Sequence, residues 1–224
     1  MEQYRLALFG RMVMGVAHEV DNYLSVILGF SELIQITGGG EKKTLESVGK
    51  IFNAGEKINN IVRHFSHYVR PHEPAREIFS PAEALAECLV FSRYDLGRSN
   101  VTISLPETPP SGVLNADRRD FAMVMLSLMF NGSEAMAAKG GELRLEYSRQ
   151  DGAWEFSVAD EGPGIPPDID GKVFEEGFST KNGPMHAGMG LPVARYLAEE
   201  MGGTLSLSNL PAGGCRAVLR IPGH

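Results

Sequence analysis

WEFSVADEGPGI, residues 154–165, decides how this chain reads. Trp154, Phe156 and Val158 alternate with smaller or polar residues, the period-two pattern of a strand over 154–159. The stretch then becomes Asp160-Glu161-Gly162-Pro163-Gly164-Ile165, an acid followed by two glycines that let a ligand approach the backbone closely. Taken alone, Asp-x-Gly-x-Gly also reads as a simple turn, so its neighbours must decide.

Working outward, strands are predicted at 78–79, 101–105, 113–115, 142–148, 204–208 and 215–221, with helices at 81–95, 118–138 and 191–201. Helices and antiparallel-looking strands in this order predict a two-layer α/β sandwich. Gly188-Met189-Gly190-Leu191 falls at a helix start, where glycines and free N–H groups suit polyphosphate. Between the two glycine motifs runs Phe174-Glu175-Glu176-Gly177-Phe178-Ser179-Thr180-Lys181. Upstream, Asn131 lies on a helix that otherwise offers Val124, Leu128 and Ala135. An amide in so apolar a stretch needs a ligand, a metal-water contact or a buried hydrogen bond. The methionines Met123, Met125, Met129 and Met136 read as adaptable core packing.

Before residue 71 the texture differs. Leu6, Phe9, Val13, Val16, Ala17, Val20, Leu24, Ile27, Phe30 and Ile34 recur at three-four spacing, as do Leu45, Val48, Ile51, Phe52, Ile58, Ile61, Val62, Phe65 and Val69. These are two long amphipathic helices, broken at Thr37-Gly38-Gly39-Gly40 and stopped before Pro71. A lone hairpin leaves its apolar stripes wet, so two copies are expected to pair as a dimeric four-helix bundle. With Val13, Val20, Ile27 and Ile34 as the central buried line, His18 falls about 140° away, pointing outward, with Glu19 beside it and Asn22 a turn on. An exposed imidazole next to a carboxylate is a nucleophile with a base at hand. On an isolated helix the same residues are simply a solvated face.

Composition narrows the classes. A net charge of −7 with no dense basic run argues against a nucleic-acid surface. The apolar stretches are well short of the roughly 20 residues of a membrane span, and the N-terminus lacks signal-peptide character, so no membrane contact is expected within this chain. Cys88 and Cys215 have neither metal-ligand nor disulfide-framework spacing, which fits a reducing cytoplasmic setting. His64, His67 and His72 read as a solvated edge rather than a metal site, and His186 as exposed.

In this order the motifs resemble those of the sensor histidine kinases of bacterial two-component signalling, across nearly the whole chain. His18-Glu19-x-x-Asn22 resembles the H box and Asn131 with Glu134 and Ala135 the N box. Asp160-x-Gly162-x-Gly164 resembles the G1 box, Phe174 through Phe178 the F box, and Gly188-x-Gly190-Leu191 the G2 box. The resemblance implies an α+β chain: an N-terminal hairpin (1–70) forming a dimeric four-helix bundle, a linker (71–77), and a catalytic domain (78–224) of the gyrase, chaperone and histidine kinase ATPase type. It also implies a homodimer that takes ATP and Mg²⁺, phosphorylates His18 with Glu19 accepting the proton, and passes the phosphoryl group to an aspartate of a response regulator. Asn22 would orient water for dephosphorylating that regulator. Asn131 would help bind Mg²⁺, Asp160 would accept from the adenine amino group, and Gly162 and Gly164 would pack round the nucleotide. Phe178, Thr180 and Lys181 would belong to a mobile lid, with Gly188, Gly190 and Leu191 near the phosphates. Tyr23 stands where this family often has proline, and Ser127 and Met123 replace residues that are often polar amides or otherwise polar.

Two other classes stay in view. One is a histidine phosphotransfer protein whose ATP domain is a degenerate scaffold, which would not bind ATP. The other is a related ATPase acting on protein conformation or DNA, which would turn over ATP without forming phosphohistidine.

Overall fold

The computed structural model describes residues 2–37, 41–69, 75–108, 111–179 and 188–223. Two helices open the chain, α1 (Glu2–Thr37) and α2 (Glu41–Val69), packed against each other. Then follow β1 (Glu77–Phe79), α3 (Pro81–Arg98), β2 (Val101–Ser104), β3 (Leu114–Ala116), α4 (Arg118–Ala135), β4 (Gly141–Gln150) and β5 (Ala153–Ala159). A short 3₁₀ turn at Asp170–Lys172 precedes α5 (Gly190–Glu200), β6 (Thr204–Asn209) and β7 (Cys215–Pro222). Expected helices and strands all occur, with ends shifted by a few residues.

Local chemistry sets the helix starts. Ser80 caps α3 ahead of Pro81, whose missing N–H costs nothing at a first turn. Asp117 caps α4 through Oδ1, accepting from the N–H groups of Arg119 and Asp120, while its Oδ2 accepts from Ala75 N at 2.9 Å. That last bond ties the chain just after the hairpin to the start of α4.

The main sheet has the order β2-β4-β5-β7-β6, and β1 pairs with β3 in a separate two-stranded sheet. Most pairings are antiparallel, as expected, but β2 runs parallel to β4, with Val101 opposite Gly141. The reason is topological: α4 intervenes between them as a crossover, which a tight hairpin cannot replace. The core between sheet and helices holds Phe91, Phe121, Phe130 and Phe156, fully buried, with Phe121 edge-on to Phe156 at 4.9 Å. Met123, Met125, Met129 and Met136 are buried there as core packing. Cys88 is also buried, and desolvation pushes its thiol pKa up, so it remains protonated and inert.

The hairpin corrects one expectation. Val13 is 46% exposed, so the buried line of α1 at this end is not Val13 to Val20 but Leu8, Met12, Gly15 and Glu19. This line packs on α3 and joins the core of the sandwich through Leu8 and Met12. At Gly15 an added Cβ would meet Phe91 O at 2.5 Å, so the two helices cross with their backbones nearly touching. Further along, Leu24, Leu28, Leu45 and Phe52 leave an exposed apolar face on the single chain.

Candidate functional site

The corner after β5 is built on Asp160, which is nearly buried. Its Oδ1 accepts from Gly162 N at 2.8 Å and from Cys215 N at 3.3 Å, and its own N–H donates to Cys215 O at 2.9 Å. Asp160 thus continues the β5–β7 ladder with its backbone while its side chain closes the turn. Gly162 lies under that carboxylate: an added Cβ would come within 2.7 Å of Oδ1 and 2.9 Å of Ala135 Cβ. Gly164 sits at φ +75°, a conformation that favours glycine. Gly132 on α4 completes the corner, with its Cβ position 3.4 Å from Asp160 Cβ and 2.5 Å from Leu143 Cδ1.

One residue before Gly132, Asn131 has its amide nitrogen buried and without a hydrogen-bond partner among the described residues. Both ends of its carboxamide lie 3.6 Å from the position a Cβ would take on Gly190, at the start of α5. Ser127, one turn earlier, donates through Oγ to Gly190 O at 3.2 Å. Asn131, Ser127, Gly190 and Asp160 therefore border one region where α4, α5 and the end of β5 meet. Gly188, at φ +66°, lies against the backbone of Gly177 and Phe178, and Gly177 N donates to Gly188 O at 3.2 Å. Leu191 packs its side chain against the core behind them. Thr180, Lys181 and His186 lie outside the described residues, as does His72, and for His64 and His67 only the helical backbone is described.

The H-box residues lie elsewhere, on α1 against α3. His18 is exposed, its Nδ1 is 3.2 Å from Asn22 Nδ2, and its ring lies 5.3 Å from that of Tyr94. Glu19 is turned the other way: it is buried and pairs with Arg93 of α3 at 3.5 Å. The structure thus joins His18 to Asn22 and to Tyr94, and commits the Glu19 carboxylate to an arginine. Sequence reasoning missed Arg93, Tyr94 and Gly214, whose Cβ position is 1.9 Å from Asp160 O. Gly15 and Gly214 were visible as glycines without a role; nothing local marks Arg93 or Tyr94.

No described helix is long and apolar enough to cross a membrane. No group of three or more His, Cys, Asp or Glu that could hold a metal occurs among the described residues.

Residues 116–224 match the histidine kinase-, DNA gyrase B- and HSP90-like ATPase family. The chain is 25% identical over 219 residues to the signal transduction histidine-protein kinase AtoS of Escherichia coli, covering 97% of this chain and 35% of AtoS. It is 30% identical over 216 residues to the sensor protein CitS of Halalkalibacterium halodurans, covering 92% and 36%. Among solved structures, full-length ShkA in complex with AMPPNP matches with a TM-score of 0.59 at 22% identity, over 92% of this chain and 45% of that one. Histidine kinase ThkA in complex with the response regulator protein TrrA matches with a TM-score of 0.56 at 22% identity, over 99% and 64%. These structures share the fold. The chain spans between 35% and 47% of the length of the first curated relatives it matches. A matching ATPase domain over residues 116–224, with alignments running through the hairpin as well, makes this chain similar to the sensor histidine kinases of two-component signalling.

Proposed function

We propose that the chain is a kinase core that phosphorylates His18 from Mg-ATP and passes the phosphoryl group to an aspartate of a response regulator. Asn131 carries this reading. A buried amide nitrogen left unbonded costs about 1–3 kcal/mol, and a ligand at the start of α5 would satisfy it. The carboxamide has a donor at one end and an acceptor at the other, so it suits both a phosphate and a cation's oxygen shell. Mg²⁺ would be held by Asn131 together with the substrate's phosphates and water, since this ion takes oxygen ligands and keeps several waters. When bound, it would neutralise charge developing on the phosphoryl oxygens.

The geometry supports the following contributions by the protein's own residues. Asp160, fixed by Cys215 and Gly162, presents an ordered carboxylate to the adenine amino group, and Gly162 and Gly164 keep the approach clear of side chains. Gly188, Gly190 and Leu191 place the α5 N-terminus beside Asn131, where backbone N–H groups favour anions. Phe178, Thr180 and Lys181 would contribute to the lid that the resemblance implies. A neutral ring nitrogen of His18 attacks the γ-phosphorus, the bond to the ADP oxygen breaks, and Glu19 takes the proton from the other ring nitrogen. Because Glu19 is committed to Arg93 in this arrangement, that step requires α1 to release α3.

Residues 1–70 serve as the phosphotransfer hairpin, 71–77 as linker and 78–224 as the catalytic domain, in a cytoplasmic setting. The exposed Leu24, Leu28, Leu45 and Phe52 support a homodimer through the hairpin, where the regulator would dock beside His18. Asn22, already in contact with the imidazole, would orient water for removing phosphate from the regulator. Incubation with radiolabelled ATP and Mg²⁺ tests the reading: the parent should gain acid-labile, base-stable label, and His18→Ala and Asn131→Ala should lose it with their circular dichroism intact. Label persisting in His18→Ala would remove His18 as the nucleophile.

A further inference from the structure

The Asp160 loop has a second anchor that none of the motifs contains. Asn209, the last residue of β6, donates through Nδ2 to Ile165 O at 2.7 Å and accepts at Oδ1 from Ile165 N at 2.7 Å. The two residues are 44 apart in sequence. Paired bonds to the N–H and C=O of one residue are what a neighbouring strand would supply. Beyond Asp160 the chain has turned away from β7 through Gly162, Pro163 and Gly164, so no strand is there to supply them. A carboxamide can, because it carries one donor end and one acceptor end.

The placement closes a circuit. Asn209 is the register partner of Cys215, and Cys215 exchanges bonds with Asp160. Both ends of the 160–165 loop are therefore pinned to the same β6–β7 pair: Asp160 to Cys215, Ile165 to Asn209. Gly164, at φ +75°, fits between them, its Cβ position only 2.8 Å from Asn209 Oδ1. Asn209 is exposed, so no requirement of the core explains an ordered amide there.

We propose that Asn209 is a positioning residue for nucleotide binding, holding the Gly162–Ile165 arm in its binding-competent shape. The inference rests on the reading of Asp160 and its loop as the nucleotide site. A loop already in its bound conformation loses less freedom when ligand arrives, and an unpinned one must be ordered at the expense of affinity.

The test uses the full chain and ADP as the probe. Asn209→Ala removes two neutral hydrogen bonds and should weaken ADP binding about tenfold by calorimetry. The KM for ATP in autophosphorylation should rise by a similar factor with kcat nearly unchanged. Amide exchange should accelerate at Ile165 and its neighbours while β4 and β5 stay protected. Asn209→Asp, which keeps an acceptor for Ile165 N and loses the donor, should fall between parent and Asn209→Ala and serves if the alanine variant misfolds. Unchanged ADP affinity with faster exchange at Ile165 would overturn the proposal, as would a fall in kcat at constant KM. Asp160→Asn separates the two levels: if it leaves ADP binding intact, the nucleotide-site reading fails and the proposal with it. If it abolishes binding while Asn209→Ala changes nothing, the positioning role alone fails.

Discussion

Asp160 and Glu19 are both acids buried within motifs, yet they are held in different ways. Asp160 is fixed inside its own sheet: Cys215 on the neighbouring strand and Gly162 two residues on supply its partners. Glu19 is fixed by a different part of the molecule, where α1 lies across α3 and Arg93 reaches it from the side. The first site is a product of strand register and tight turns, and it persists as long as the sheet does. The second is a product of docking between two helices, and undoing it should leave both of them folded. In the proposed kinase core, where one histidine would meet both a nucleotide and a partner, a rigid corner beside a docked helix would serve both encounters.

The strongest way to break the comparison is at Gly214. Its φ is +92°, and an added Cβ would lie 1.9 Å from Asp160 O, where no side-chain rotation can relieve the clash. Gly214→Ala should therefore cost about 3 kcal/mol or more in a urea titration. Nucleotide binding should be lost with it. Stable folding with intact binding would mean that the corner is far more pliable than its contacts indicate.

This contrast also explains what the sequence made legible. The 160–165 corner could be read because its constraints are local: an acid and two glycines at fixed offsets after an alternating strand. The lengths of α1 and α2 followed from their apolar spacing. The face that α1 buries did not, because Val13 and Met12 are both apolar and adjacent, and only the position of α3 chooses between them. The choice fell on Met12, and it carried Glu19 inward as well. The parallel β2–β4 pair was missed for a similar reason, since strand direction follows from the crossover and not from strand composition. Asn209 and Arg93 show nothing locally, because what defines each is a partner distant in sequence.

Gly15→Ala tests whether α1 is detachable. In an exposed helix interior the change would gain about 1 kcal/mol of helix propensity. Here the new methyl would meet Phe91 O at 2.5 Å, and backbone cannot step aside. The clash wins locally, so helicity should hold while α1 lifts from α3. Hydrogen exchange should rise on α3 near Phe91 and remain unchanged in β5 and β7, with ADP affinity unaltered. Equal loss of protection in the sheet would show that α1 is part of the cooperative core rather than docked on it.

The smallest effects come from the ion pair, and their signs separate pairing from burial. The Arg93 side chain is 65% exposed and that of Glu19 only 5%, so water screens one partner while the other has been stripped of it. Arg93→Gln removes a screened contact and should weaken docking by about 1 kcal/mol or less, though it leaves a carboxylate buried. Glu19→Gln removes the buried charge itself and should be close to neutral or slightly stabilising, because a neutral amide no longer carries the desolvation cost. Equal losses in both variants would make the pair, rather than the burial, the source of the energy. The phosphorylation rates should then diverge in the opposite sense. Arg93→Gln loosens the docking that turns Glu19 away from His18 and should raise the initial rate of label incorporation, whereas Glu19→Gln, the better docked of the two, has no base to release and should lower it.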